Sequence, residues 1–197
     1  MPIPLKQAMK IGTYVMWQKL KGQERYPLVL MLEPLFRCNL ECIGCGKIQK
    51  PNEILNKNLT PDQCLDAANE CDAPVVSIAG GEPLMHPQIV EIVEGLIKQK
   101  RYIYLCTNAL LLKNFFGKLP ISPFLTLSIH LDGLEEDHDR IVDKKGVFKI
   151  AVEAVREAKK TGYRVTSATT FFEGTSVEQA ETFLDFLNPL GLDGVTL

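Results

Sequence analysis

Three cysteines, Cys38, Cys42 and Cys45, stand at C-x3-C-x2-C spacing directly after an apolar run over 28–33. Thiolates three and four residues apart on a folded loop can converge on one inorganic centre. Iron–sulfur clusters are normally held by four thiolates. No other cysteine lies in this loop, so one iron of a four-iron cluster is left open to an exogenous ligand. Structural zinc is the competing chemistry, but it asks for a fourth Cys or His at matching spacing, and none is near in sequence. A second group, Gly80, Gly81, Glu82 and Pro83, closes the next apolar run. Its glycines let the backbone approach a ligand, and its carboxylate can accept hydrogen bonds from an ammonium group.

The elements that must position these residues alternate. Strands are expected over 28–33, 75–79, 102–106, 124–132, 164–172 and 194–197, and helices over 60–71, 86–100, 146–160 and 176–187, with a short helix around 111–119. Thr60 and Ser176 suit N-caps, Pro61 a first helical position and Gly162 a helix stop. Regular alternation of strand and helix implies an α/β fold with a parallel sheet inside and helices outside.

In the fourth strand Thr126, Ser128, His130 and Asp132 alternate with Leu125, Leu127, Ile129 and Leu131. In the third, Tyr102, Tyr104 and Cys106 alternate with Ile103 and Leu105. An aliphatic face suits the helix layer, and the polar face then lines a hydrated or ligand-filled lumen, as in a closed or partial barrel. Active sites of such barrels lie at the C-terminal ends of the strands. The cysteine loop, 80–83, 106–108 and 130–132 all fall there. Cys106, on the lumen side, is either a small core residue or a hydrogen donor to a radical, because a thiol S–H bond is weak. His130 and Asp132 are either a functional pair or a brace at a strand end. Cys64 and Cys71, two turns apart on one helix, read as buried, unreactive thiols.

Residues 1–22 stand apart from the 23–197 barrel. Within them 4–21 reads as an amphipathic helix, with Leu5, Met9, Met16 and Leu20 on one side and Lys6, Lys10 and Lys21 beside Trp17 on another. Such a helix packs on the body of the domain or rests at a membrane surface. The 197-residue chain is one large domain or part of one. Its net charge of −2 gives no argument for a nucleic-acid surface. No apolar run is long enough to span a bilayer, and Lys6, Gln7 and Lys10 interrupt any signal-peptide core. Six cysteines without an export signal suit a reducing cytosol, which makes a cytoplasmic location the expectation, with peripheral contact at the inner membrane face.

The cysteine spacing, its place after the first strand, and the Gly-Gly-Glu-Pro turn one strand later resemble the radical S-adenosylmethionine (SAM) superfamily. The resemblance implies a partial (β/α)6 barrel similar to a TIM barrel. It implies a [4Fe–4S] cluster on Cys38, Cys42 and Cys45 whose open iron is chelated by SAM. Glu82, with Gly80 and Gly81, is then the contact to the methionyl amino group. Ser128 resembles the polar contact to the SAM ribose or carboxylate, Asn108 matches the Thr-Asn pair after the third strand, and His130 joins them as a cofactor-binding candidate. Asp139 and Arg140 resemble a brace in the loop after the fourth strand. Gly44 departs from the pattern, since an aromatic residue usually precedes the third cysteine.

Along its whole length, from Pro2-Ile3-Pro4-Leu5 to Ser128-Ile129-His130-Leu131-Asp132-Gly133, the chain is most similar to the hopanoid-biosynthesis branch, the adenosylhopane synthases. That branch runs further at the C-terminus, so the chain resembles an N-terminal portion. The branch implies that the 5′-deoxyadenosyl radical from SAM adds to diploptene, a triterpene, giving adenosylhopane. Cys106 is then the hydrogen donor, and flavodoxin or ferredoxin a reducing partner. A triterpene must be collected from a bilayer, and the N-terminal helix is the segment shaped for that. The alternatives are a radical SAM enzyme of another branch, abstracting hydrogen from a peptide or small metabolite, and a non-catalytic zinc-binding module.

Overall fold

The computed structural model describes residues 3–197; Met1 and Pro2, which open the expected 1–22 segment, lie outside the described residues. Six strands pair in sequence order, all parallel: β1 (Val29–Leu32), β2 (Val75–Ile78), β3 (Tyr102–Thr107), β4 (Leu125–His130), β5 (Arg164–Ala168) and β6 (Gly194–Thr196). β1 and β6 are the two edges of the sheet and do not pair with each other among the described residues, so this is an open, partial barrel. The helices are α1 (Leu5–Leu20), α2 (Asn52–Leu55), α3 (Pro61–Cys71), α4 (Ile89–Lys98), α5 (Glu135–Ile141), α6 (Val147–Thr161) and α7 (Val177–Leu187).

Local chemistry accounts for the helix ends. Thr60 and Ser176 each form a reciprocal capping box, with Gln63 and Gln179 respectively, which satisfies two otherwise orphaned backbone donors at each start. Gly162, at φ +101°, ends α6 in the left-handed region that a residue without Cβ tolerates. α6 opens on Gly146, which has no capping side chain. The Asp139 carboxylate substitutes from α5, accepting from the amides of Gly146 at 2.5 Å and Phe148 at 2.8 Å.

The strand alternation sorts the two faces. Ile103, Leu105, Leu125, Leu127 and Ile129 are fully buried in one apolar cluster with Ile92, Val93 and Leu96 of α4 and Val155 of α6. Truncating such a residue to Ala typically costs about 2–5 kcal/mol. On the other face the register aligns Ser77, Tyr104 and Thr126 in one layer, and Cys106, Ser128 and Thr166 in the next. The polar residues of β3 and β4 therefore line the lumen.

Several expectations give way. The fifth strand stops at Ala168 rather than 172, because the Thr170 amide donates to the Asp132 carboxylate at 2.7 Å instead of continuing the ladder. Asp139 and Arg140 lie on α5, not in a loop, although Asp139 does brace the start of α6. The expected 86–100 helix begins only at Ile89, since His86 is buried and bonded through Nε2 to the Leu59 carbonyl at 2.8 Å. The short helix around 111–119 is a 3-10 turn over Leu112–Phe115. Cys64 is buried, but Cys71 is partly exposed. Finally, α1 is docked the other way round. Its buried residue is Gln7, while Leu5, Met9, Met16 and Leu20 face solvent. α1 also meets the barrel at the start of β3, through Lys100, Tyr102 and Tyr104, the end opposite the cysteine loop.

Candidate functional site

At the C-terminal ends of the strands a cleft of about 230 Å³ is lined by Cys38, Cys42 and Cys45 from the loop after β1, and by Gly80, Gly81 and Glu82 from the turn after β2. Cys106 and Asn108 from the end of β3, with Ser128 and His130 of β4, complete it. Every cluster-ligand, cofactor-binding and hydrogen-donor candidate thus lines one cavity, while Asp132, the partner of His130, lines a second one. Thr107, Ala79 and Ala168 also line it. The alternation of lumen positions does not reveal Thr107, because it sits between them and only its hydroxyl turns toward Glu82.

The glycines do something other than admit a ligand. A Cβ on Gly80 would stand 2.2 Å from the Leu35 carbonyl oxygen, and one on Gly81 only 1.9 Å from that of Arg37. The backbones themselves bond, Gly81 N–H to Leu35 at 3.0 Å and Glu82 N–H to Arg37 at 2.8 Å. Gly80 also takes φ +107°. The two glycines let the turn after β2 grip the backbone that leads into Cys38. The far side of the loop is fixed by Ile43 N–H bonding to the Ile141 carbonyl at 2.8 Å and by the Arg37 guanidinium bonding to the Leu55 carbonyl at 3.2 Å.

Glu82 is 1 % exposed. Its Oε1 accepts from Leu84 N–H at 3.0 Å and the Thr107 hydroxyl at 2.8 Å, and its Oε2 accepts from Asn108 N–H at 2.8 Å. These are neutral donors, and no lysine, arginine or histidine forms an ion pair with it among the described residues. Burial therefore pushes its carboxyl above the ordinary range, against the pull of those three bonds. A carboxylate so held keeps acceptor capacity on Oε2 and lacks a counter-charge. Asn108 is presented by a turn in which Ala109 takes φ +68°. Its side-chain amide donates to Asn39 Oδ1 at 2.7 Å and lies 3.8 Å from the Cys38 sulfur.

Burial raises the thiols of Cys38 and Cys42, Cys42 to about 11, with the neighbouring cysteines adding to the effect at Cys42. Ligation to a metal must displace those protons. Among the described residues no three Cys, His, Asp or Glu side chains converge tightly enough to hold one metal ion. A tetrahedral zinc with Zn–S bonds of about 2.3 Å brings its sulfurs within about 4 Å of one another. A cluster spreads its ligands, because each thiolate binds a different iron. Three thiols around a cavity therefore fit a multi-iron group better than a single ion. The Cys106 sulfur lies in the lumen, 3.6 Å from the Ser77 hydroxyl, and burial raises its pKa too.

His130 and Asp132 form a pair, Nε2 to Oδ2 at 2.5 Å. Asp132 is fully engaged: its other oxygen takes the Thr170 amide, and its own N–H donates to His138 Nδ1 at 3.1 Å. That bond places the proton of neutral His138 on Nε2, which is buried without a partner among the described residues. Burial lowers the His138 pKa to about 4. A larger cavity, about 530 Å³, adjoins on the side of α5 and α7, lined among others by Ile43, Asp132, Phe171 and Phe172. None of its lining residues is a cysteine.

A family model described as the radical SAM superfamily matches residues 32–187. GTP 3′,8-cyclase of Petrotoga mobilis is 27% identical over 156 residues, covering 76% of this chain and 48% of that protein. Mycofactocin maturase MftC of Mycolicibacterium smegmatis is 26% identical over 161 residues, covering 80% and 41%. Among solved structures, Streptococcus suis SuiB bound to S-adenosylmethionine superposes with a TM-score of 0.72 at 21% identity, over 99% of this chain and 44% of that one. The chain spans about half the length of the curated relatives it matches.

Proposed function

The chain belongs to the radical SAM superfamily, and we propose that it is an enzyme whose Cys38, Cys42 and Cys45 hold a [4Fe–4S] cluster while SAM occupies the cleft beneath them. The observation that carries this reading is Glu82: a buried carboxylate without a cation, in the same cavity as three thiols. Held there, a [4Fe–4S] cluster would supply the electron for reductive cleavage of the C5′–S bond of SAM to methionine and a 5′-deoxyadenosyl radical. Glu82 Oε2 accepts the methionyl ammonium. Gly80 and Gly81 hold the cysteine loop over the cleft, and Asn108 steadies Cys38. Ser128 and His130 meet the rest of SAM from the lumen wall, and Asp132 fixes the His130 ring. A small reducing protein such as flavodoxin or ferredoxin supplies the electron.

The cyclase and maturase relatives support a substrate that is a peptide or small metabolite, and the first reading has the radical abstract hydrogen from it. The second reading is addition of the 5′-deoxyadenosyl group to diploptene, as in hopanoid biosynthesis. One observation favours it: Cys106, a thiol beyond the three ligands, lines the cleft; in this reading its S–H gives a hydrogen atom to the tertiary product radical, and the thiyl left behind is returned to thiol by one electron from the reducing partner and a proton. Incubating reduced, reconstituted protein with SAM and each candidate substrate separates the two. Irreversible abstraction yields 5′-deoxyadenosine in step with product, whereas addition yields adenosylated product and little free nucleoside.

A further inference from the structure

We propose that the outward face of α1 docks this protein on an anionic lipid surface. A surface helix ordinarily turns its apolar stripe inward, and α1 does the reverse. Its inward side is polar and aromatic apart from the half-buried Ile11 and Val15. The Gln7 amide bonds to the Tyr104 hydroxyl at 3.2 Å, the Lys10 ammonium to the Lys100 carbonyl, and the Tyr14 ring meets Tyr26 edge-on at 6.0 Å. At about 100° of turn per residue, Leu5, Met9, Met16 and Leu20 fall on the opposite side, where they are 75, 60, 59 and 74% exposed. The inward contacts lie on the side opposite the stripe and leave it uncovered among the described residues. Contiguous exposed apolar surface of this kind marks an interaction site.

Charge selects the partner. Lys6 and Lys19 are exposed on the two sides of the stripe, and no acidic residue precedes Glu24, in a chain whose net charge is −2. A second copy would bring two lysine-flanked stripes together, which like charge opposes. Anionic headgroups are drawn to the same lysines while the apolar side chains enter the boundary layer. Trp17, next to Lys6 around the helix, is 57% exposed, with the Lys21 ammonium 5.1 Å from its ring centroid, an amphipathic pairing suited to the interface. Because α1 closes the end of the barrel opposite the cysteines, docking tethers the protein with its cleft facing away from the bilayer. This is a tether, not the route for a membrane-borne substrate that the sequence suggests.

The test is co-sedimentation of the 197-residue protein with vesicles of phosphatidylcholine alone or mixed with phosphatidylserine. Binding is expected to the mixed vesicles and to weaken with salt. The double variant Lys6→Gln/Lys19→Gln should lower partitioning about thirtyfold at low salt, each lysine contributing about fivefold. Met9→Glu/Met16→Glu should abolish it while leaving the circular dichroism spectrum unchanged, since both side chains point to solvent. Absence of wild-type binding to phosphatidylserine vesicles, or equal binding by both variants, overturns the proposal. So does a dimer in light scattering that Met9→Glu/Met16→Glu dissolves without any vesicle binding, which would give the stripe to a second copy. None of these readouts depends on the cluster or on SAM.

Discussion

Gly81 lies directly against Arg37: a Cβ added to it would sit 1.9 Å from the Arg37 carbonyl oxygen, one residue before the first cysteine. Backbone cannot retreat as a flexible side chain can, so Gly81→Ala must push the Cys38 segment away from β2. Overpacking of this kind costs about 1–3 kcal/mol, which a domain of this size survives. The expected outcome is a folded protein with reduced iron after reconstitution, measured by metal analysis beside circular dichroism. Full iron loading in Gly81→Ala would show that the contact does not position the loop.

Glu82→Gln keeps the shape and removes the charge. A charge-assisted hydrogen bond is worth roughly 1.5–3 kcal/mol, so SAM affinity should fall about ten- to a hundredfold with the cluster intact. Calorimetry on cluster-replete protein reads this directly. The wild type should also release SAM as pH falls, because burial raises the Glu82 pKa and an ammonium partner lowers it again. A pH-independent affinity, or an unchanged one in Glu82→Gln, would reduce Glu82 to a brace for Leu84 and Asn108.

His138 predicts a pH dependence of stability. Its pKa is about 4 in the fold against 6.5 for an ordinary histidine. Between these values the unfolded chain binds the proton and the folded one does not. Stability therefore falls as pH drops from about 6.5 to about 4, by up to about 3 kcal/mol from this group. His138→Gln can still accept the Asp132 amide but cannot titrate. Denaturant midpoints measured across that window should fall less steeply for the variant than for wild type; parallel slopes would remove His138 as the cause.

The polar lumen is legible in the sequence because strands alternate sides. Period alone assigns Ser128, His130 and Cys106 to one face, and that face is the cleft. The cysteine spacing and the strand ends bring Gly80, Glu82 and Asn108 to the same place. The features that stay hidden depend on contacts between distant segments. The role of Gly81 needs the Arg37 carbonyl, the early end of β5 needs the Asp132 side chain, and the service of Asp139 to α6 needs α5 to form. α1 is the sharpest case. Periodicity locates its apolar stripe correctly, but which side faces the barrel is set by Gln7 and Lys10 finding partners on β3 and just before it, and by Tyr14 meeting Tyr26 ahead of β1.

Cys106→Ala separates the two substrate readings from a different side. If the thiol reduces a product radical, the variant should still cleave SAM but divert the product, for instance to an alkene by loss of hydrogen. If the substrate is a peptide or small metabolite that only loses hydrogen, product identity should not change. Mass spectrometry of the products decides, and saturated adduct formed at the wild-type rate would end the donor role.

The central claim is that Cys38, Cys42 and Cys45 together hold a cluster that cleaves SAM. Methionine release from SAM by reduced, reconstituted protein tests it most directly, because either substrate reading produces methionine. The wild type should carry about four irons per chain and show reductant-dependent methionine release. Cys38→Ala, Cys42→Ala and Cys45→Ala should each abolish that release, while Cys64→Ala and Cys71→Ala retain it. Methionine released at the wild-type rate by Cys38→Ala would contradict the claim.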